Sequence, residues 1–226
     1  MSISYAHNAE DIIINCLLGD VKTFIDIGAN DGIKYSNVYK FINTGAAGLS
    51  FEPIPSIFRK LQKNYKDFPV HCINKAVSNK NDNVCMVDAG VLSHITTTAD
   101  TGLTCKVIDT PEMPAINVWV DTIGAKDISY IWNKHFMHGS VPDVVSIDVE
   151  GHEHIILDNW DTKFLPKAFI IETHCYNGNE LTWEHQHFDT INDILIHKFG
   201  YELKCSTQMN SIYIKKGGLN DNVTNS

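Results

Sequence analysis

The sequence lacks any long hydrophobic run. No apolar stretch approaches the roughly 18 residues that a membrane-spanning helix needs. The first residues carry Glu10 and Asp11 in place of the basic segment that opens a secretory signal peptide. We therefore expect no membrane span and a cytoplasmic protein.

Closely spaced cysteine pairs are also missing. Six cysteines are scattered along the 226 residues, and none belongs to a Cys-x-x-Cys pair. This spacing does not resemble the disulfide framework of a small secreted domain. The pattern predicts reduced thiols, most of them small core residues: Cys16, Cys72, Cys85, Cys105, Cys175 and Cys205.

Positive charge is scarce. The chain has 18 Lys and Arg against 27 Asp and Glu, which gives a formal net charge of −9. A nucleic-acid partner normally requires a basic face that neutralises phosphates. The composition therefore argues against nucleic acid and favours a small-molecule or glycan partner.

The length suits one domain. With 43% hydrophobic residues the chain can bury one sizeable core, so we expect a single domain over residues 1–216. Residues 1–20 predict a helical lead-in, and residues 217–226 predict a disordered tail. Residues 78–117 lose clear periodicity, which indicates either irregular edge strands or an insertion on the substrate side.

Apolar runs alternate with helical periodicity along the rest of the chain. This alternation predicts an α/β fold with a mostly parallel sheet and an antiparallel pair of strands at the C-terminal end. The predicted strands are 21–27, 46–51, 70–73, 144–148, 168–172, 201–205 and 211–215. The predicted helices are 9–18, a segment after Gly32, 55–65, 151–159 and 191–199.

The most informative segment is residues 24–32, Phe-Ile-Asp-Ile-Gly-Ala-Asn-Asp-Gly. An apolar run that ends in Asp26 and continues as Gly28-x-x-x-Gly32 is typical of a strand that turns sharply into a helix. The glycines stand where a bound group approaches the backbone. Glu52 follows the next predicted strand, where a Rossmann-type sheet binds two ribose hydroxyls. A nucleotide-like cofactor is therefore indicated.

The spacing of this segment differs from the dinucleotide motif Gly-x-Gly-x-x-Gly, because Asn30 stands at the position of the second glycine. The difference favours S-adenosylmethionine over NAD. An NAD-dependent oxidoreductase is thus the less favoured alternative. A second alternative is a binding module that keeps the cofactor fold without catalysis.

Two later strands also end in carboxylates. Asp148 closes one of them, with Glu150 just beyond it, and Glu172 closes the next, with His174 two residues later. Because the carboxyl ends of parallel strands meet at one edge of a sheet, these side chains are expected in a common cleft.

A metal ion is possible at this edge but is not favoured. Residues 152–154, His-Glu-His, do not complete the zinc motif His-Glu-x-x-His, because residue 156 is Ile. Carboxylates suit Mg²⁺ or Mn²⁺, and the candidate ligands would be Asp148, Glu150 and Glu172 or His174.

The chain resembles the FkbM-type S-adenosylmethionine-dependent methyltransferases from Tyr5 to about Lys215. Residues 26–32 are similar to the first cofactor motif of that family, and residues 36–37, Ser-Asn, to a polar pair that follows it. The strongest match is residues 147–153, Ile-Asp-Val-Glu-Gly-His-Glu; the family usually carries Lys where Ser146 stands. The resemblance implies a seven-stranded, Rossmann-like class I methyltransferase sheet and O-methylation, often of sugars or natural products.

Methyl transfer from a sulfonium is an in-line displacement, so the enzyme must hold the acceptor oxygen against the methyl carbon. Positioning of this kind contributes about 7–11 kcal/mol. We expect Asp26 and Gly28 at the amino-acid end of the cofactor and Glu52 at its ribose. The expected cofactor-binding residues are Asp26, Gly28, Asn30, Gly32, Asn37, Glu52, Pro53, Asn74, Ala76 and Asp148.

An alcohol acceptor must also lose its proton, and a positioned base contributes about 10²–10⁴-fold. The catalytic candidates are His174, Asp148 and Glu150. His174 is preferred, because imidazole titrates near neutrality whereas an exposed carboxylate is a weak base. The alternatives are a structural role for His174 and helix capping by Glu150 or Glu153. The predicted function is O-methyl transfer to a hydroxyl of a saccharide or a glycosylated small molecule.

Overall fold

A computed structural model describes residues 3–88, 94–97, 116–173, 175–176, 181–182 and 187–217. The strands are β1 (Thr23–Ile27), β2 (Ala47–Phe51), β3 (Val70–Ile73), β4 (Ala76–Ser78), β5 (Asn83–Asp88), β6 (His94–Thr97), β7 (Ile116–Gly124), β8 (Val144–Ile147), β9 (Ala168–Glu172), β10 (Cys175–Tyr176), β11 (Leu181–Thr182), β12 (Tyr201–Ser206) and β13 (Asn210–Lys215). The helices are α1 (Glu10–Leu18), α2 (Tyr39–Asn43), α3 (Pro55–Tyr65), α4 (Ile128–His135), α5 (Glu153–Asp158) and α6 (Phe188–Asn192).

Seven strands form the main sheet, in the order β12-β13-β9-β8-β1-β2-β3. The five strands from β9 to β3 are parallel, whereas β13 runs antiparallel to β9 and β12 antiparallel to β13. This topology confirms the predicted α/β class, the mostly parallel seven-stranded sheet and the C-terminal antiparallel hairpin.

The register of the central strands brings three loops to one edge. Ile27 of β1 lies opposite Phe51 of β2 on one side and Ile147 of β8 on the other. The next residues, Gly28, Glu52 and Asp148, therefore leave the sheet together.

Helices cover both faces of the main sheet because its strands alternate their side chains. Phe24 belongs to a buried cluster with residues of α1, α2 and α3, including Ile14 and Leu61. Its neighbour Ile25 points the other way, into a cluster that includes Trp132 of α4 and Leu157 of α5. Both faces are thus packed, as a parallel sheet requires.

A second sheet lies beside the first, with the order β4-β7-β5-β6. It accounts for part of residues 78–117, and residues 89–93 and 98–115 lie outside the described chain. Strand β7 was not predicted, and its pairing partners β4 and β5 are far from it along the chain.

Several helices differ from their predicted boundaries. The helix expected after Gly32 is the short α2, preceded by a loop in which the Ser36 hydroxyl accepts from the backbone N–H of Tyr39 at 3.1 Å. Helix α6 begins at Phe188 and continues as a π-helical turn, Asp193–Lys198. Helix α4 was not predicted, and a 3₁₀ turn over Ala125–Asp127 leads into it.

Within the described ranges, no helix has the length and hydropathy needed to cross a bilayer. The cysteines at positions 16, 72, 85 and 205 are free thiols. The predicted tail beyond residue 217 lies outside the described residues.

Candidate cofactor and catalytic site

A cavity of about 250 Å³ lies at the carboxyl edge of the main sheet. The ends of β1, β2, β8 and β9 contribute to its lining, together with β4 and the loop before β13. The predicted site residues that line it are Asp26, Gly28, Asn30, Asn37, Glu52, Pro53, Ala76, Asp148 and Glu150.

The turn after β1 exposes bare backbone to this cavity. Gly28 has φ +86°, and a Cβ atom added there would lie 1.8 Å from the carbonyl oxygen of Asp148. The backbone N–H groups of Gly28 and Ala29 both donate to the carbonyl of Phe51, at 3.0 and 2.9 Å. A side chain at position 28 would therefore separate the turn from β8.

Glu52 joins the turn after β1 to the loop after β2. Its side chain is 5% exposed, and its two carboxylate oxygens accept from the backbone N–H groups of Asn30 at 3.0 Å and Ile54 at 2.8 Å. A carboxylate oxygen can accept more than one hydrogen bond. Glu52 can therefore brace both loops and still accept from hydroxyl groups in the cavity.

Two predicted cofactor residues do not line the cavity. Gly32, at φ +83°, packs against Tyr65 of α3, whose hydroxyl donates to the Gly32 carbonyl at 2.5 Å. Asn74 donates from Nδ2 to the carbonyls of Glu52 and Pro53, both at 2.8 Å. These residues hold the loops around the cavity in place.

Asp26 lies at the base of the cavity and is 6% exposed. Burial, together with the charges of Asp148 and Glu52, raises its pKa to about 7. The residue beside it on β8 is Ser146, a neutral residue. A positively charged group entering the cavity would therefore be stabilised by this carboxylate.

Asn37 reaches the same region from the loop before α2. Its Nδ2 donates to the Ser146 hydroxyl at 3.1 Å. Its Oδ1 is buried without a hydrogen-bond partner among the described residues. A buried unsatisfied acceptor is costly, and a ligand with an N–H or O–H group would relieve that cost.

Three carboxyl groups form a cluster in the cavity. One oxygen from each of Asp148, Glu150 and Glu172 lies within 4.8 Å of the others. Burial and the charge of Glu153 raise the pKa of Asp148 to about 6, and a hydrogen bond with Glu172 opposes that shift. Burial and the charges of Asp148 and Glu153 raise the pKa of Glu150 well above its ordinary value. The donor set is one that Mg²⁺ or Mn²⁺ accepts.

Glu153 has a structural role beneath this cluster. It is fully buried, and its carboxylate accepts from the backbone N–H groups of Val149 at 2.9 Å and Gly151 at 3.0 Å. Glu153 therefore shapes the loop that carries Glu150, which has φ +58°.

His174, the preferred base, lies outside the described residues. The structure places a different histidine in the cavity. His152 is 6% exposed, and its Nε2 lies 3.0 Å from the Ser78 hydroxyl. Burial lowers the pKa of His152, so its imidazole is neutral near pH 7. His152 belongs to the family motif at residues 147–153, which could have marked it as a site residue. Its contact with Ser78 could not be predicted, because the two residues are 74 positions apart along the chain.

Sequence reasoning also missed the rim of the cavity. His7, Lys34 and Tyr35 are exposed residues that line it, while Met209 and Asn210 line it from the C-terminal hairpin. Individually these residues carry no motif, and only the folded chain brings them together.

The chain matches the sequence profile described as the methyltransferase FkbM domain over residues 26–203. No curated protein matches it. Among solved structures, methyltransferase FkbM from Methylobacillus flagellatus is 14% identical with a TM-score of 0.50; the match covers 86% of this chain and 44% of that one. Fibrillarin from Aeropyrum pernix, solved with natively bound S-adenosyl-L-methionine, is 11% identical with a TM-score of 0.46; the match covers 91% of this chain and 72% of that one. The chain thus spans less than half the length of the Methylobacillus protein.

Proposed function

Because the chain belongs to the FkbM methyltransferase family, we propose that it transfers a methyl group from S-adenosylmethionine to a hydroxyl of a saccharide or glycosylated small molecule. The observation that carries the proposal is the meeting of Asp26, Gly28 and Glu52 at one sheet edge around a cavity. Gly28 supplies backbone without a side chain, and the two carboxylates supply acceptors at both ends of the turn.

The residues of the cavity fit S-adenosylmethionine. Glu52 would accept from the ribose hydroxyls, and Asp26 would pair with the ammonium of the amino-acid end. The unpartnered Oδ1 of Asn37 would accept a further N–H. When bound, the cofactor supplies a methyl group on a positively charged sulfur, an electrophile that needs no metal.

The acceptor hydroxyl must be oriented and deprotonated by the chain. Asp148 and Glu150 lie in the cavity, and their raised pKa values make them stronger bases than ordinary carboxylates. His174, two residues beyond β9, stays our preferred base, with Asp148 orienting the acceptor. The cytoplasmic location and the absence of a nucleic-acid partner also stay predictions.

The proposal is tested by calorimetric titration of the full chain with S-adenosylhomocysteine and NAD, followed by turnover assays. We expect S-adenosylhomocysteine to bind and NAD to show no heat. Release of S-adenosylhomocysteine from S-adenosylmethionine should then be found in a panel of sugars, nucleotide sugars and small alcohols. Binding of NAD alone would reject the proposal, and cofactor binding without turnover on any acceptor would favour a binding module.

The base is tested with an active acceptor. His174→Ala should lower kcat by about 10²-fold or more and leave S-adenosylhomocysteine affinity unchanged. Asp148→Asn should lower kcat while the pH profile still rises through neutrality. Near-normal turnover of His174→Ala with an unchanged pH profile would assign the base to Asp148 or Glu150.

Chelation distinguishes two roles for the carboxylate cluster: acid–base catalysis and binding of a divalent ion. We expect at most partial loss of turnover after exhaustive chelation. Complete loss that Mg²⁺ or Mn²⁺ restores would instead assign Asp148, Glu150 and Glu172 to a divalent ion.

A further inference from the structure

Two stacked aromatic rings lie at the rim of the cavity. The cofactor contacts proposed above do not involve them. The rings of His7 and Tyr35 are 4.6 Å apart between centroids, with an interplanar angle of 23°. The ammonium of Lys34 lies 4.8 Å from the centroid of the Tyr35 ring. Tyr35 is 52% exposed, although it lines the same cavity as Gly28 and Asp148. We call His7, Lys34 and Tyr35 the rim cluster.

The backbone on both sides holds the rim cluster in place. Ala6 and Tyr35 form a parallel bridge, which joins the N-terminal segment to the loop before α2. Tyr35 has φ +61°, a conformation that a bulky residue adopts at a cost. The carboxylate of Asp31 accepts from the backbone N–H groups of Ile33 and Lys34, both at 2.9 Å.

Hydrogen bonds also hold the N-terminal segment that carries His7. The buried carboxylate of Asp11 accepts from the Ser4 hydroxyl at 2.6 Å and from the backbone N–H of Tyr5 at 2.9 Å. A strained backbone at Tyr35 and the buried carboxylate of Asp11 therefore hold two exposed rings at the cavity mouth.

Charge divides the cavity into two zones. The carboxyl groups that line it are those of Asp26, Glu52, Asp148, Glu150 and Glu172, whereas the rim carries Lys34. Lys75 also lines the cavity, beside β4, and its ammonium lies 3.7 Å from the Asp121 carboxylate. An anionic substituent would be repelled by the interior and attracted by the rim. Because an exposed cation–π contact is weak, Lys34 can leave the Tyr35 ring to pair with such a group.

We propose that the rim cluster binds the methyl acceptor, a sugar that carries a phosphate or carboxylate group. The apolar C–H face of the sugar ring packs on the His7–Tyr35 pair, and Lys34 pairs with the anionic group. This arrangement directs the opposite side of the sugar, with its hydroxyls, toward Asp148 and Glu150. The inference rests on the proposed function and deepens it by naming the substrate class and the residues that select it.

The test uses ligand-observed NMR on the full chain saturated with S-adenosylhomocysteine, with two probes: glucose 1-phosphate and methyl glucoside. We expect saturation transfer to the ring protons of glucose 1-phosphate, with weaker transfer to methyl glucoside. Tyr35→Ala should weaken glucose 1-phosphate binding by at least about tenfold. Lys34→Ala should remove the preference for glucose 1-phosphate over methyl glucoside. Affinity for S-adenosylhomocysteine should be unchanged in both variants.

Tyr130→Ala is the matched control. Tyr130 is 65% exposed and has the ammonium of Lys134 4.3 Å from its ring centroid, but it lies on α4 and does not line the cavity. This variant should bind both probes as the natural chain does.

Three results would overturn the inference: no transfer to either probe in the natural chain, unchanged glucose 1-phosphate binding in Tyr35→Ala, or loss of S-adenosylhomocysteine affinity in Tyr35→Ala. The last would assign the rim cluster to the cofactor. Failure of the proposed function would show differently, as absence of S-adenosylhomocysteine binding in the natural chain.

Discussion

At the scale of single residues, the cavity is distinguished by carboxyl groups that lie close together, of which Asp26 is buried and Asp148 and Glu150 are partly exposed. Asp26, Asp148 and Glu150 all have raised pKa values, because burial and mutual repulsion disfavour the charged forms. Such an arrangement costs stability in the absence of a cation. The cost is understandable if a positively charged ligand occupies the cavity during function.

The pH dependence of thermal stability should reveal how much the buried Asp26 carboxylate destabilises the fold. Its folded pKa, about 7, exceeds its ordinary value of 3.8, so the folded chain retains a proton that the unfolded chain loses. The contribution of Asp26 to stability therefore falls as pH rises from about 4 to about 7. Asp26→Asn should have a higher Tm than the natural chain at pH 8, with the difference shrinking toward pH 4. Thermal denaturation across this pH range is the measurement.

Asp143 provides the control of opposite sign. Burial alone would raise the pKa of Asp143, but the Lys167 ammonium and the backbone N–H groups of Lys22 and Thr23 hold it below its ordinary value. Asp143→Asn should therefore lower the Tm at pH 8, and the loss should diminish in acid as the natural carboxylate becomes protonated. A lower Tm at pH 8 for both variants would contradict the account of Asp26.

Glu52 is expected to determine cofactor affinity. Glu52→Ala should raise the Kd for S-adenosylhomocysteine by at least about tenfold, since hydrogen bonds to a charged group contribute about 1.5–3 kcal/mol. Calorimetric titration measures this change, and circular dichroism checks that the variant is folded. Glu52→Gln keeps one oxygen acceptor and should lose less affinity. Unchanged affinity in a folded Glu52→Ala would remove Glu52 from the site.

At the scale of elements, the site depends on how closely the turn after β1 approaches the end of β8. Glycine is favoured at position 28 for two reasons: the backbone has a positive φ, and a Cβ atom would clash with the Asp148 carbonyl. The two reasons can be tested separately. Gly139 has a similar φ, +78°, but a Cβ atom added there would have nothing within 4 Å. The pair therefore distinguishes backbone strain from steric exclusion.

Gly28→Ala should greatly weaken S-adenosylhomocysteine binding and destabilise the fold, because its Cβ would lie 1.8 Å from the Asp148 carbonyl. Gly139→Ala should cost only about 1 kcal/mol, the usual strain of a left-handed residue. Urea unfolding and calorimetric titration compare the two variants. Equal effects would mean that the backbone conformation, and not the close approach to β8, makes glycine necessary at position 28.

At the scale of the whole molecule, a buried carboxylate ties the beginning of the described chain to its end. Glu10 of α1 is fully buried, and its Oε1 accepts from the Thr207 hydroxyl at 2.6 Å and from Asn210 Nδ2 at 2.9 Å. Because Asn210 lines the cavity, this contact connects the lead-in helix to the site through the C-terminal hairpin. We propose that residues 1–216 behave as one domain for this reason.

Glu10→Ala should lower the free energy of unfolding by about 1–3 kcal/mol, because the buried Asn210 amide would lose its acceptor. The Thr207 hydroxyl would keep the Asn210 carbonyl as an acceptor at 3.1 Å. Glu10→Gln keeps an oxygen at the same place and should lose less. Urea unfolding should show a single transition for the natural chain and both variants. Two separate transitions would contradict the single domain, and equal losses would mean that the hydrogen bonds of Glu10 contribute little.

Much of the fold was predictable from local patterns. Strand β3 and helix α3 have the predicted bounds, and β1, β2 and β9 lie within or on theirs, because apolar runs and helical periodicity act over short distances along the chain. Segment 24–32 likewise indicated a cofactor turn. Its meaning depends on glycine spacing and on a carboxylate one strand later, both of which are readable from sequence.

The sequence by itself determined the fold class and the family, since both follow from strand patterns and from motifs at strand ends. It also predicted nine of the residues that line the cavity, among them Asp26, Gly28 and Glu52. Only the tertiary structure decided that Gly32 and Asn74 brace loops, that His152 meets Ser78 inside the cavity, and that the rim cluster forms. His152 and Ser78 are 74 residues apart, and the rim cluster joins the N-terminal segment to the loop before α2. Contacts of this kind depend on where packed elements place their loops, and no local pattern in the chain encodes that placement.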